Sequence, residues 1–315
     1  MSAIEEAVLN QLSKFPELNR IERGYVHQVE RGETRIFFRP TTKIATDLGL
    51  CATAIIESTF GEYFSSIDDE SLARLNRRSC HGSFFTESGR LGIRASFCIY
   101  EKEPAEYLVS MLLLQAMGEQ LALGFATAHT EWAPDTLPGN RANLEFPRKW
   151  AQPPSMAHFE ASVQRFNERG FVSTLGVHGI VLEVPLADGP RSIMIDRSAE
   201  TALLHVSIDV PHPLAGVGYL ATIALPIDPS RESIPGWCNR LNEEENQMQD
   251  FVPRFGAWAA RGAGSELVYS MFWPSDRANE GLEATIMTWL VVRTLWLRDR
   301  YWSPGKGLVR DSIRG

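Results

Sequence analysis

The chain has 315 residues, enough for two domains of ordinary size with substantial apolar cores. Its formal net charge is −8 at pH 7, and the Lys and Arg residues form no long run. Such a surface repels phosphate backbones and anionic lipid headgroups, so we expect neither nucleic acid nor a membrane surface as a partner.

The opening stretch MSAIEEAVLNQL carries acids where a secretory signal carries basic residues, and no apolar core segment follows it. The four cysteines, Cys51, Cys80, Cys98 and Cys238, form no Cys-x-x-Cys pair, which favours reduced thiols over a disulfide framework. Both observations predict a cytoplasmic protein.

The first half predicts a helix, three strands, a helix, two strands and a last helix. Residues 4–15 carry apolar side chains at helical spacing, and the stretches around 25–29, 35–39 and 51–57 favour strands. A short helix containing Arg-Leu-Asn at 74–76 follows the helix-start residues Asp68 to Glu70.

The end of the first half predicts a hairpin and a buried helix. GSFFTESGRLGIRASFCIY joins two strand segments through a glycine turn. The apolar run at 107–117 is shorter than the roughly 20 residues that a bilayer requires, so we interpret it as a helix inside the protein.

The second half repeats these parts in the same order. LGLCATAIIES pairs with GVGYLATIALP through a shared Ala-Thr step, and Arg-Leu-Asn returns at 240–242. GAWAARGAGSELVYSMFW matches the hairpin, and an apolar helix follows at 286–297. The segment 159–166 predicts the opening helix, while 179–185 and 192–195 read as added strands.

This order predicts an α+β fold of two repeated domains, each with a helix, antiparallel strands, a helix, a hairpin and a helix. The predicted boundaries are 1–130 for the first domain and 157–302 for the second. A Pro-rich linker occupies 131–156, and a solvated tail occupies 303–315.

The repeated unit, with its Leu-Asn helix, glycine-turned hairpin and apolar helix, resembles type III secretion chaperones and the related YbjN-like family. The resemblance implies a noncatalytic domain that forms homodimers and offers apolar surface to a partner protein, with no cofactor and no active site. This chain fuses two copies, so we expect an internal pseudo-dimer, with a homo-oligomer as the alternative.

The two apolar helices carry apolar side chains in nearly every direction, including Leu113 and Leu290. A helix that covers one side of a sheet needs only an apolar stripe. We therefore expect each helix to have a second cover, from the other half or from another subunit. Burial within one domain is the alternative.

Aromatic residues suggest a further partner-binding element. Phe84, Phe85 and Trp258 lie on the first strand of each predicted hairpin, where an exposed strand could pair with an extended peptide. Burial in the core is the favoured alternative, because aromatic strand residues usually face a core.

Candidate catalytic residues are few. Cys80 and His81 are adjacent, and neighbours on a strand point to opposite faces, which separates a nucleophile from its base. His205 and Asp209 share a strand face that reads as merely polar, and His212 lies between two prolines in an expected turn. The sequence Glu243-Glu244-Glu245 is interpreted as a solvated helix end.

The sequence shows neither clustered metal ligands nor a phosphate-binding loop, so we expect no metal and no cofactor. The favoured hypothesis is a noncatalytic, chaperone-like or adaptor protein that binds a protein partner of unknown identity through apolar surface. The alternative is an enzyme or small-ligand-binding protein with its site in a cleft between the halves.

Overall fold

The computed structural model describes residues 1–29, 32–63, 67–79, 81–127, 156–186, 201–212, 216–226, 234–248, 252–261, 266–275, 278 and 282–301. Cys80, the predicted strand at 192–195, almost all of the predicted linker and the predicted tail lie outside these residues. Within the described part of the chain, no helix combines the length and hydropathy needed to cross a membrane.

The first half contains four helices and six strands among its described residues. They are α1 Ala3–Leu12, β1 Leu18–Ile21, β2 Gly24–Val29, β3 Gly32–Pro40, α2 Lys43–Asp47, β4 Leu50–Tyr63, α3 Asp69–Arg78, β5 Ser83–Glu87, β6 Arg90–Tyr100 and α4 Ala105–Thr127. Local chemistry sets two of the starts. Ser2 and Glu5 form a capping box at α1, and the Asp68 carboxylate accepts the Ser71 N–H at 2.7 Å before α3.

The second half contains three helices and six strands among its described residues. They are α5 Met156–Glu168, β7 Val172–Gly176, β8 Gly179–Pro185, β9 Thr201–His212, β10 Gly216–Pro226, α6 Ile234–Gln247, β11 Gly256–Arg261, β12 Glu266–Pro274 and α7 Leu282–Tyr301. Its first three strands answer to β1, β2 and β3. The strand at 179–185 is therefore a regular part of the repeat and not an addition.

The two sheets have the same strand order, β1-β2-β3-β4-β6-β5 and β7-β8-β9-β10-β12-β11. The fold is thus α+β with two repeated halves and antiparallel sheets, as the sequence predicts. The pattern missed β1, which has only four residues, and α2, which has five. Elements this short carry too few residues to show a hydrophobic period.

A shared glycine marks the same place in both sheets. Gly24 and Gly179 each begin the second strand, and a Cβ at either would overlap the backbone carbonyl of the third strand, at Ile36 and Val206 respectively. Only glycine permits this approach. Ile36 of β3 and Val206 of β9 are therefore equivalent positions in the two repeats.

This alignment corrects one repeat match. The strand register places Ile36 beside Ile56 and Val206 beside Ala221, so Ile56 answers to Ala221. The Ala-Thr step of the sequence match instead aligned Ala52 with Ala221, four residues away. A shift of four residues keeps every side chain on its own face, since strands have a period of two.

The chain divides into two compact units, and each unit is built from two separate segments of the sequence. The first unit comprises 1–151 and 235–259, and the second comprises 152–234 and 260–315. Thus α6 belongs to the first unit although it lies in the second half of the sequence. Side-chain hydrogen bonds explain this assignment: the Asn239 amide donates to the Asp69 carboxylate, and the Asn246 amide donates to Ser83 Oγ.

The apolar helices find a second cover inside their own units. In the first unit α4 packs on β3, β4 and β6 and also against α1. In the second, α7 packs on β8, β9 and β10 and also against α5. The opening helix of each half thus supplies a cover that we had expected from the other half or another subunit.

Candidate functional site

The second sheet has two faces of unlike exposure. We call the face packed against α5 and α7 its inner face, and the opposite side its outer face. The inner side chains are buried, and Phe159 of α5 stacks on Tyr219 there. On the outer face Leu203 is 47 % exposed and Val172 is 43 % exposed. Thr174 and Glu183 are exposed in the same rows, and Phe272, which pairs with Leu220, is buried. The half-buried side chains of the face are Val181, His205, Ser207, Leu220, Thr222, Ala224, Val268 and Ser270.

The first sheet carries different residues on its corresponding outer face, the side opposite α4. A row of paired residues crosses each sheet two positions beyond the shared glycine. It reads Val26, Arg35, Glu57 and Arg94 in the first sheet and Val181, His205, Thr222 and Ser270 in the second. Three charged positions of one sheet are therefore a histidine and two hydroxyl residues in the other.

The charges on the first sheet form a packed arrangement. Arg94 Nε donates to Glu57 Oε2 at 2.6 Å, and the Arg94 guanidinium lies 4.5 Å above the Phe85 ring. Gly92 makes room for that ring, because a Cβ there would come within 2.5 Å of it. Arg39 donates to the Asn246 carbonyl at 3.4 Å. The charged side chains are thus paired and partly shielded from water.

Other parts of the first unit cover this outer face. Helix α2 packs Ala45 against Leu50 and Cys98, and the backbone of Arg254 pairs with that of Ser96 at the edge of β6. Ile55, at the centre of the face, is only 2 % exposed. The second half has no room for a counterpart of α2, since only residues 213–215 separate β9 from β10.

His205 lies near the middle of the second outer face. The Ser207 hydroxyl is 3.3 Å from its Nε2, and burial lowers the pKa of the imidazole. Asp209 does not continue this row. It has φ of 57° beside a bulge in the β9–β10 pairing, which breaks the alternation that the sequence argument assumed.

The sequence-predicted binding residues are mostly buried. Phe84 is 4 % exposed, and Trp258, Leu113 and Leu290 are 0 % exposed. Phe85 is half-buried beneath Arg94. Burial in the core was the favoured alternative for the aromatic residues, and only Phe85 among the five retains part of its surface for a partner.

Asparagine side chains occupy the strand edges that were candidates for peptide pairing. Asn76 accepts the Phe84 N–H at 2.7 Å and donates to the Phe84 carbonyl at 3.3 Å. Asn242 does the same for Trp258, at 2.7 and 3.0 Å. These two asparagines end the repeated Arg-Leu-Asn motif. The motif therefore closes the edges of β5 and β11 at those residues.

A buried polar network lies on the inner face of the first sheet. It centres on Glu119 of α4, which is 0 % exposed and accepts from Ser58 Oγ at 3.0 Å. Burial raises the pKa of Glu119 well above its ordinary value, and the Ser58 and Gln115 hydrogen bonds oppose that shift. The sequence analysis missed this network, because Glu119 and Gln120 follow an apolar run that predicts a buried helix and gives no sign of a polar cluster.

The remaining candidate residues have structural surroundings. His81 stacks beside Gly118 of α4, where an added Cβ would lie 3.3 Å from the ring. His212 is the last residue of β9 and its ring packs at an angle of 33° against Phe272, with ring centroids 4.7 Å apart, so it is not in a turn. Glu245 is 4 % exposed and accepts the Trp258 indole N–H at 2.8 Å, which corrects its assignment to a solvated helix end.

Cys51, Cys98 and Cys238 carry reduced thiols and form no disulfide. Among the residues that the structure describes, no group of three or more His, Cys, Asp or Glu side chains is arranged to hold a metal ion. Comparison of the chain with family models, with curated proteins and with solved structures finds no match.

Proposed function

We propose that this protein is a noncatalytic, chaperone-like or adaptor module that binds a polypeptide on the outer face of its second sheet. The observation that carries the proposal is the exposure of that face, with Leu203 at 47 % and Val172 at 43 %. Sheets in globular proteins usually bury their apolar faces against another element. A sheet face that leaves large apolar side chains exposed is typical of an interaction site.

Charge indicates the chemistry of the partner. Glu183 lies between Val172 and Leu203 in the strand register and is exposed, and the chain as a whole carries −8. An amphipathic helix with an apolar stripe bordered by Lys or Arg would match both features. A second copy of this chain would bring another Glu183 and the same net charge, so it is the less favourable occupant.

The strand edges point to the same mode of binding. Asn76 and Asn242 already satisfy the edge groups of Phe84 and Trp258, which disfavours addition of a peptide strand at those residues. The resemblance to type III secretion chaperones also supports a module that offers apolar surface to a partner. Docking on a sheet face is therefore the mode that we propose.

The test uses the full chain and two labelled synthetic peptides. Both peptides carry leucines at helical spacing, and one has lysines and the other glutamates along the stripe. We expect saturable binding of the lysine peptide by fluorescence anisotropy, at least tenfold weaker binding of the glutamate peptide, and loss of binding in Leu203→Asp. Val177→Asp is the matched control, since Val177 is 86 % exposed in the β7–β8 turn, beyond the rows of the face.

Equal binding by the wild-type chain and Leu203→Asp would overturn the site, as would an absence of saturable binding. A concentration-dependent doubling of mass that Leu203→Asp abolishes would show that the face joins two copies of the chain, which would overturn the proposed partner.

A further inference from the structure

Five buried polar side chains form a continuous line from β2 to α4 in the first unit. The line runs from His27 to Gln120, Thr34, Ser58 and Glu119, and none of them is more than 5 % exposed. The successive distances are 3.4 Å from His27 Nδ1 to Gln120 Nε2, 2.7 Å from there to Thr34 Oγ1, 2.8 Å to Ser58 Oγ and 3.0 Å to Glu119 Oε2.

Gln115 decides which oxygen of Glu119 can carry a proton. The Gln115 amide nitrogen donates to the His81 carbonyl, which can only accept, so its NH2 end is fixed there. The same nitrogen lies 3.2 Å from Glu119 Oε1 and donates to it. Oε1 is therefore an acceptor, and a proton on Glu119 belongs on Oε2, facing Ser58.

With Glu119 ionised, every donor in the line points toward the carboxylate. Gln120 donates to Thr34, Thr34 to Ser58, and Ser58 to Glu119. The Gln120 NH2 group then also faces His27 Nδ1, which accepts as the unprotonated nitrogen of its ring.

With Glu119 protonated, the direction reverses. Glu119 Oε2–H donates to Ser58, Ser58 donates to Thr34, and Thr34 donates to Gln120, whose amide must turn its oxygen toward Thr34. That oxygen then also faces His27 Nδ1, so a hydrogen bond there requires an Nδ1–H. Hydroxyl groups can donate either way, so the reversal needs no change in the backbone.

We infer that these five residues form a hydrogen-bond relay with two directions of donation, and that the proton on Glu119 selects the direction and is reported by the tautomer of His27. Burial favours the neutral carboxyl, consistent with the raised pKa of Glu119. The charged groups near it are Glu57, which favours the proton, and Arg94, which opposes it. His27 of β2 and His81, which precedes β5, are the other titratable groups that the described contacts bring to this line.

The fold does not require this relay. In the second sheet the positions that answer to His27, Thr34 and Ser58 are Leu182, Leu204 and Ile223, all 0 % exposed. An apolar layer fills the same place with full burial. At these three positions the polar side chains are therefore a property of the first unit, and they make that unit sensitive to pH at its centre.

The test follows two groups in the full chain across pH 5 to 9. Infrared difference spectra between wild type and Glu119→Gln isolate the carboxylic acid band of Glu119, and 15N NMR of the imidazole reports the His27 tautomer. In wild type we expect the His27 tautomer to change as the Glu119 band disappears. In Glu119→Gln the His27 tautomer should stay the same across this pH range, since the NH2 group of the introduced glutamine donates to Ser58 as the protonated acid does.

Thr34→Val interrupts the line without touching either end, and Ser58→Ala interrupts it next to Glu119 and removes a hydrogen bond that lowers the pKa of that carboxyl. In both variants the Glu119 band should still titrate while His27 no longer follows it. Glu106→Gln, on the same helix and bonded only to Gln11 in the described contacts, is the matched control and should behave as wild type. A His27 tautomer that stays constant in wild type, or that follows Glu119 equally in Thr34→Val and Ser58→Ala, would overturn the relay. So would an ionised Glu119 at every pH.

Discussion

The outer faces of the two sheets have the same strand register and opposite surroundings. In the first sheet the row runs through Arg35, Glu57 and Arg94; Glu57 and Arg94 are paired and shielded, whereas Arg35 is exposed. In the second, the row through His205 and Thr222 carries no carboxylate or guanidinium and is half-buried. The centre of the first face thus holds a shielded ion pair, whereas the second face exposes the apolar Leu203 and Val172 beside one charged side chain, Glu183.

This difference shows that the residues on each face suit the surroundings of that face. A covered face can hold ions when each finds a partner, as Glu57 does in Arg94. An open face that exposes large apolar side chains lowers solubility, and such exposure is typical of a surface that binds a partner. Three predictions test this comparison.

The largest effect should come from a charge placed at the centre of the covered face. Ile55 is 2 % exposed and occupies the position that Leu220 holds, half-buried, in the second sheet. Ile55→Lys should lower the free energy of unfolding by about 4 kcal/mol or more, because the ammonium has no buried partner. Leu220→Lys should cost about 1 kcal/mol or less, since its ammonium can reach water along the open face.

Urea unfolding of both variants, with hydrogen exchange resolved by unit, measures these changes. Equal losses in the two variants would contradict the claim that one face is covered and the other open.

A smaller effect is expected at the repeated asparagine, whose two copies both lie in the first unit. Asn76→Ala and Asn242→Ala each leave the N–H and carbonyl of a buried strand residue without the side-chain partner, which should cost about 2 to 4 kcal/mol at either strand edge. Asn19→Ala is the control, because Asn19 is exposed on β1. Thermal unfolding of the three variants provides the comparison, and a cost for Asn76→Ala no larger than that of the control would refute the role assigned to the motif.

The smallest effect concerns pH, to which the two units should respond in opposite directions. Burial raises the pKa of Glu103 in the first unit to about 7, so its contribution is present below pH 4.5 and is lost as pH rises toward 7. At neutral pH this loss is about 2 to 3 kcal/mol. Burial lowers the pKa values of His205 and His212 in the second unit, so their contribution is present above pH 6.5 and is lost as pH falls.

Hydrogen exchange of peptides from each unit between pH 4.5 and 8 can separate the two responses. Glu103→Gln should reduce the response of the first unit, leaving the part that comes from Glu119, and should leave the second unit unchanged. A first unit whose protection rises with pH in this window would contradict the assignment.

The tandem repeat was predictable because its signals are local. The hairpin turn at Ser88 and Gly89 has positive φ at both residues, and the glycine in the sequence predicts such a turn. Asp68 caps α3 through a contact three residues away. The long apolar runs also became α4 and α7, since their composition suits no exposed segment.

The candidate surface and the relay were not predictable in the same way. Leu203 and Ile55 are both large apolar strand residues, yet one is 47 % exposed and the other 2 %. The sequence predicts that Glu245 belongs to a solvated acidic run, but its carboxylate accepts the indole N–H of Trp258, which lies thirteen residues away in the chain. Such outcomes depend on which segments of the chain meet.

The amino-acid sequence by itself determined the long helices, the hairpins, the order of the repeat and the alternating faces of the regular strands, because periodicity and turn chemistry act over a few residues. Only the tertiary structure decided the register between the repeats, the assignment of α6 to the first unit and the burial of Glu119 beside Ser58. Burial and hydrogen-bond pairing depend on contacts between residues that are distant in the chain. The open face of the second sheet therefore cannot be identified from the sequence alone.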